Sequence, residues 1–172
     1  MKKQPLCILF AGPVGSSKTP VAVYLSWNLG LPIFNTDAIR TEVLEDILEN
    51  NLESELIPKR RDERLAKMIS SKKSFIYDAS IDRTWPEMKK ELEENGYKYF
   101  VISFDITNEF LKKLWNAKKY DAWELFDGWC EDHLSFVKKY REEVGLTITD
   151  DNFSARLDES LEAVRKFLGD NS

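Results

Sequence analysis

Short apolar runs alternate along this chain with longer stretches in which apolar residues recur every three or four positions. Residues Leu6 to Ala11 are continuously apolar, as in a strand covered on both faces. Val21, Leu25 and Leu29 then lie four apart, and Gly30 and Pro32 stop that helix. Ile33-Phe34 is a second short run, closing at Asn35-Thr36-Asp37, after which Ile39, Val43 and Ile47 resume helical spacing. An acidic stretch leads to Pro58 and the basic run Lys59-Arg60-Arg61, and residues 62–71 read as a further helix. Phe75-Ile76-Tyr77 is the third strand, ending at Asp78. Thr84 and Glu87 have the spacing of a capping box with Pro86 just inside it, which predicts a helix from there to about Gly96. Residues 99–102 form the fourth strand, and aromatic-rich helices follow over 108–118 and 122–143. Leu146-Thr147-Ile148 is a weaker fifth strand; Leu157, Leu161, Val164 and Leu168 mark a last helix that Gly169 ends. Such alternation predicts an α/β fold, a parallel sheet with helices on both faces.

Composition narrows the chemistry. A length of 172 residues fits one domain, 1–172, that buries enough surface to need no disulfide or metal staple. Two cysteines, Cys7 and Cys130, and one histidine, His133, exclude zinc-finger spacing and a disulfide scaffold. They fit a reducing compartment. Lys2-Lys3 before an apolar run resembles a leader, yet the run is short and breaks at Gly12-Pro13; no stretch has the length of a membrane span, so the expected location is cytoplasmic. The net charge of −5 disfavours long nucleic acids and anionic membranes as partners. Residues 1–40 run the other way, with four cationic residues against one acidic. An anion site belongs there.

Between the first strand and the first helix stands Gly12-Pro13-Val14-Gly15-Ser16-Ser17-Lys18-Thr19, which fits the phosphate-loop pattern except that Ser17 replaces a glycine. Glycines permit a tight turn whose backbone N–H groups point inward at phosphate oxygens, and the helix N-terminus adds positive potential. Lys18 is placed to reach the β- and γ-phosphates and the Thr19 hydroxyl to ligate Mg²⁺. At Ser17 a Cβ either crowds the phosphate and resists a positive φ, or is tolerated with the hydroxyl as an added donor. Asp37, past the second strand, is a candidate base toward an attacking hydroxyl, with Arg40 one turn on as an anion clamp. Asp78, ending the third strand, is a candidate Mg²⁺ ligand. Arg83 and Trp85 are candidates to face a substrate, whereas Trp115, Trp123, Phe126 and Trp129 at helical spacing read as core, and His133 as a half-buried structural residue. Lys59-Arg60-Arg61 reads as a solvated face opposite the glutamates before it.

These three segments, Gly12 to Thr19, Phe34 to Arg40 and Phe75 to Ser80, give the chain its resemblance to the small P-loop kinases, over roughly residues 5–110. It is most similar to the branch with polynucleotide 5′-hydroxyl kinase-like, zeta-toxin-like and chloramphenicol phosphotransferase-like proteins. The resemblance implies a five-stranded sheet of order 2-3-1-4-5 and a short lid at about 108–128. It implies ATP and Mg²⁺ as cofactors and γ-phosphoryl transfer to a hydroxyl of a small molecule or nucleotide. Asp37 would then be the base and Arg40 a substrate contact. The lid offers only lysines, Lys112, Lys113, Lys118 and Lys119, where such kinases present arginines. Two other readings stay open: a nucleotide-binding module with little turnover that acts through a partner, and a polynucleotide 5′-hydroxyl kinase acting on nucleic-acid ends.

Overall fold

A computed structural model describes residues 4–50 and 55–169. Lys2 and Lys3, and the end of the acidic stretch at 51–54, lie outside the described residues. The strands are β1 (Leu6–Ala11), β2 (Ile33–Asn35), β3 (Phe75–Ser80), β4 (Lys98–Phe104) and β5 (Val144–Ile148). The helices are α1 (Lys18–Leu29), α2 (Thr36–Asn50), α3 (Leu56–Ser70), α4 (Trp85–Glu94), α5 (Asn108–Lys118), α6 (Phe126–Tyr140) and α7 (Arg156–Leu168). All strand pairs are parallel, in the order β2-β3-β1-β4-β5, which is the order the resemblance implies. From β3 the chain passes over β1 to reach β4, so the switch point of the sheet lies at β1, whose carboxyl end opens a ligand crevice.

β1 is buried along its whole length and feeds two cores by strict alternation. Leu6, Ile8 and Phe10 pack with Val21 and Leu25 of α1, Leu111 and Trp115 of α5, and Leu161 and Val164 of α7. Cys7, Leu9 and Ala11 pack with Val43 of α2, Leu65 and Ile69 of α3, and Trp85, Met88 and Leu92 of α4. Helix α6 belongs to both layers, giving Phe126 to the first and Phe136 to the second.

Three local expectations need correction. β3 runs on past Asp78 to Ser80, because a register shift after Leu9 lets Phe10 pair with Ser80. α3 starts at Leu56, with Pro58 in its first turn, where a missing N–H leaves no intrahelical bond unmade. Thr84 precedes α4, but its ψ of 8° is far from extended and its side chain makes no cap bond, so no capping box forms. The basic run is paired as well as solvated, with Arg60 on Asp46 and Arg61 on Asp62, and Arg64 just beyond it holds Glu42 across α2 and α3.

Ile8 is wholly buried at the centre of the central strand. Ile8→Ala is expected to cost about 2–5 kcal/mol in urea unfolding. Trp27→Ala, at a position 89% exposed, is expected to change stability by less than about 0.5 kcal/mol.

Candidate active site

The turn after β1 is shaped by two glycines that no other residue replaces without strain. Gly12 has φ 142° and lies against Phe104, with room for a Cβ only 2.9 Å from that residue's own Cβ. Gly15 has φ 83°, and a Cβ there would stand 2.3 Å from the Trp115 indole nitrogen. That indole N–H donates to the Val14 carbonyl at 2.8 Å, so the turn is closed from outside by α5.

Ser17 adopts the positive φ that its Cβ resists. It takes φ 70° and ψ 39°, a left-handed conformation that costs a non-glycine residue about 1–2 kcal/mol. Its hydroxyl accepts from Lys118 Nζ at 2.7 Å, and the same ammonium donates to the Gly15 carbonyl at 2.8 Å. Ser17 makes no side-chain cap bond to α1. The first-turn N–H groups of α1 therefore face the crevice uncapped, with no acidic residue in that turn.

Lys18 folds back under the turn. Its ammonium donates to the Gly12 and Pro13 carbonyls, each at 2.7 Å, and to Ser16 Oγ at 3.2 Å, using all three donors. Removal from water pulls its pKa down to about 8, only partly offset by the carboxylates of Asp82 and Asp78.

Asp78 is buried in β3, facing β2 and α1. It accepts from the Thr19 hydroxyl at 3.2 Å and from Asn35 Nδ2 at 2.9 Å. Burial raises its pKa above the usual carboxylate value, against the Thr19 hydrogen bond. Asn35 also accepts the Ala38 N–H at 2.8 Å, which fixes the start of α2 and with it Asp37. Lys18, Thr19, Asp37 and Asp78 line one cleft of about 540 Å³, roofed by Lys118 and Tyr120. Arg40 is exposed one turn beyond Asp37 and does not line it.

The cleft suits a polyphosphate with a hard cation. Its floor supplies an ammonium and uncapped helix amides, and beside them lie two hard oxygen donors, the Thr19 hydroxyl and the Asp78 carboxylate. Among the described residues no group of three or more His, Cys, Asp or Glu could hold a metal by itself. Thr19 and Asp78 would hold a Mg²⁺ ion here together with phosphate oxygens and water, the manner in which this ion is usually bound.

Several residues of the site escape sequence reasoning. Asp82 accepts the Gly12 N–H on both carboxylate oxygens at 3.2 Å and faces His133 Nδ1 at 3.1 Å. Asp82 and His133 are both nearly fully buried, not half-buried, and His133 Nε2 has no hydrogen-bond partner. Only a strand-end aspartate ahead of Arg83 signals this pair in the sequence. Trp85 cannot stack a substrate: it is fully buried, edge-on to Tyr99, and donates to Glu143 at 3.0 Å. Trp115 is core, while Trp123 is 41% exposed. Arg83 stands at the surface, paired with Asp132.

Neither a protein-family model nor a curated protein matches the chain. Solved structures do. A gluconokinase from Sinorhizobium meliloti superposes with a TM-score of 0.67 at 15% identity, covering 96% of this chain and 95% of its own. The Mycobacterium tuberculosis APS kinase CysC, in complex with AMPPNP and APS, gives 0.63 at 16% identity over 94% and 98%. Shikimate kinase from Acinetobacter baumannii gives 0.60 at 19% identity over 99% and 96%. The chain has the three-layer fold of the small P-loop kinases. No helix among the described residues is long and apolar enough to cross a membrane.

The Lys18 environment makes a prediction about pH. Between its native pKa near 8 and the ordinary 10.5, the unfolded chain holds a proton that the native chain lacks, so stability rises with pH across that window. Urea midpoints of wild type and Lys18→Met are expected to differ most in the variant's favour below pH 8. The gap closes as pH climbs from 8 toward 10.5; a pH-independent gap would contradict the buried ammonium.

Proposed function

We propose that the chain is an ATP-dependent kinase passing a γ-phosphoryl group to a hydroxyl of a small molecule or nucleotide. The reading is carried by one observation: Lys18, Thr19, Asp37 and Asp78 line a single cleft at the carboxyl edge of a P-loop kinase-type sheet. Lys18 would exchange its loop carbonyls for β- and γ-phosphate oxygens, while loop amides between Val14 and Thr19 cradle the chain of phosphates. Thr19 and Asp78 would hold Mg²⁺, which when bound neutralises phosphate charge. Asp37, at the mouth of α2, would take the acceptor's proton. Arg40 would serve only an acceptor that extends beyond the cleft. Residues 1–172 would work as one unit in which the segment at 108–128 acts as the lid, a role supported by the contacts of Trp115 and Lys118 on the loop. Gluconokinase and shikimate kinase among the structural neighbours fit a small acceptor, and the acidic surface fits it better than a nucleic-acid end.

ATP binding followed by calorimetry, and ADP release in the presence of an acceptor panel, test this. Lys18→Ala is expected to lose ATP binding. Asp37→Asn is expected to keep it while turnover falls about 10²–10⁴-fold. Equal, negligible binding by wild type and Lys18→Ala would overturn the proposal. Above pH 8, binding is expected to take up about one proton, because phosphate restores the Lys18 ammonium; in Lys18→Met the uptake should vanish.

A second reading, a nucleotide-binding module with little turnover, is favoured by the Lys118 bonds to Gly15 and Ser17, which hold the lid segment on the loop. Turnover absent in wild type and gained by Ser17→Gly would select it; turnover in wild type would remove it.

A further inference from the structure

Next to the cleft, and sharing Val14 and Ser80 with it, is a second chamber of about 190 Å³. Its walls are the start of the loop at Gly12 and Pro13, the turn after β3 with Asp82 and Arg83, and Trp129 and Asp132 of α6. We propose that this chamber seats the phosphoryl acceptor, and that it selects a single-ring hydroxyl compound without an anionic group, neutral or amine-bearing. The assignment rests on the kinase reading above and adds a class of acceptor to it.

Position argues first. The Gly12 and Pro13 carbonyls that hold Lys18 Nζ belong to residues of the chamber wall, so a phosphoryl group drawn to that ammonium ends beside the chamber. There the acceptor oxygen would form its bond to the γ-phosphorus as the bond to the β–γ bridging oxygen breaks. ADP leaves with that electron pair, and the hydroxyl proton passes to Asp37. The Asp37 carboxylate lines the adjoining cleft rather than the chamber, so the reacting hydroxyl would sit at the Val14 and Ser80 boundary that the two share.

Charge selects the class. The wall carries one cation, Arg83, and its guanidinium is already paired with Asp132 of the same wall. A third charged group, the Asp82 carboxylate, is only 5% exposed and held in place by the Gly12 N–H and His133. Beyond Pro13 lie further acids, Asp105, Asp127 and Glu131. A carboxylate or phosphate on the acceptor would meet unmatched negative charge and would have to compete with Asp132 for the Arg83 guanidinium. An amine or hydroxyl meets acceptors instead. The half-buried Trp129 indole offers a flat apolar face suited to a ring, and the volume corresponds to about six waters, room for one ring and its substituents.

The test uses matched neutral, amine-bearing and carboxylate-bearing analogues built on hexose, cyclohexane and benzyl rings. Binding is measured by saturation-transfer NMR without nucleotide, and ADP release is measured separately with ATP. Neutral and amine-bearing members are expected to bind, with carboxylates weaker by about tenfold or more. Asp132→Asn, which frees Arg83, is expected to improve carboxylate binding by about tenfold; the pair is 65% and 31% exposed, so the variant should fold. Trp129→Ala is expected to weaken every class. Carboxylates binding wild type as tightly as the others, no class binding, or no gain in Asp132→Asn would overturn the proposal. Loss of the kinase reading would appear in the other arm, as ADP release that is absent or insensitive to Lys18→Ala.

Discussion

The peptide units around Gly12 are gripped at both ends, and the geometry of the crevice depends on that grip. The Gly12 N–H is held by the buried Asp82 carboxylate, and its carbonyl by the Lys18 ammonium, so one residue joins the turn after β3 to the start of α1. Asp82 in turn meets His133, which ties the same point to α6. The opposite charges of Asp82 and Lys18 thus face each other through a glycine that has no side chain to intervene. The Asp82 carboxylate also offsets part of the desolvation that the Lys18 ammonium suffers.

This arrangement leaves the Lys18 ammonium in a costly environment. A lysine whose pKa has fallen to about 8 is an ammonium short of partners of full charge, and three neutral acceptors are a poor substitute for phosphate. The αL backbone of Ser17 adds strain at the same place. Sites that bind anions commonly carry such instability, which an incoming ligand relieves.

Much of the fold is legible in the chain because the pattern of burial is simple. A central strand apolar at every position, flanked by helices of regular apolar spacing, has few alternatives to a covered parallel sheet. Boundaries were less visible: the pairing of Phe10 with Ser80 extends β3, and such a register shift leaves no mark on hydropathy. Within the crevice, Lys18, Thr19, Asp37 and Asp78 are found together because each follows or ends a strand at the same edge of the sheet. Asp82 and Trp115 are not legible as site residues, and Lys118 is legible only as one of four lid lysines, since their roles come from contacts across 70, 101 and 101 positions of sequence. Trp85 misled for a related reason. Proximity to Arg83 along the chain says nothing about the side of the sheet on which an indole is buried.

The left-handed turn at Ser17 has a consequence for the residues that can occupy that position. β-Branched side chains are strongly disfavoured by the backbone, and long ones would fill the space taken by the Lys118 ammonium. Aspartate fits the backbone but would set a negative charge at the mouth of an anion site. What is left is a small alphabet of glycine, alanine, serine and asparagine. Each letter fixes how firmly Lys118 is moored to the loop, so a single codon tunes the grip of α5 on the turn after β1.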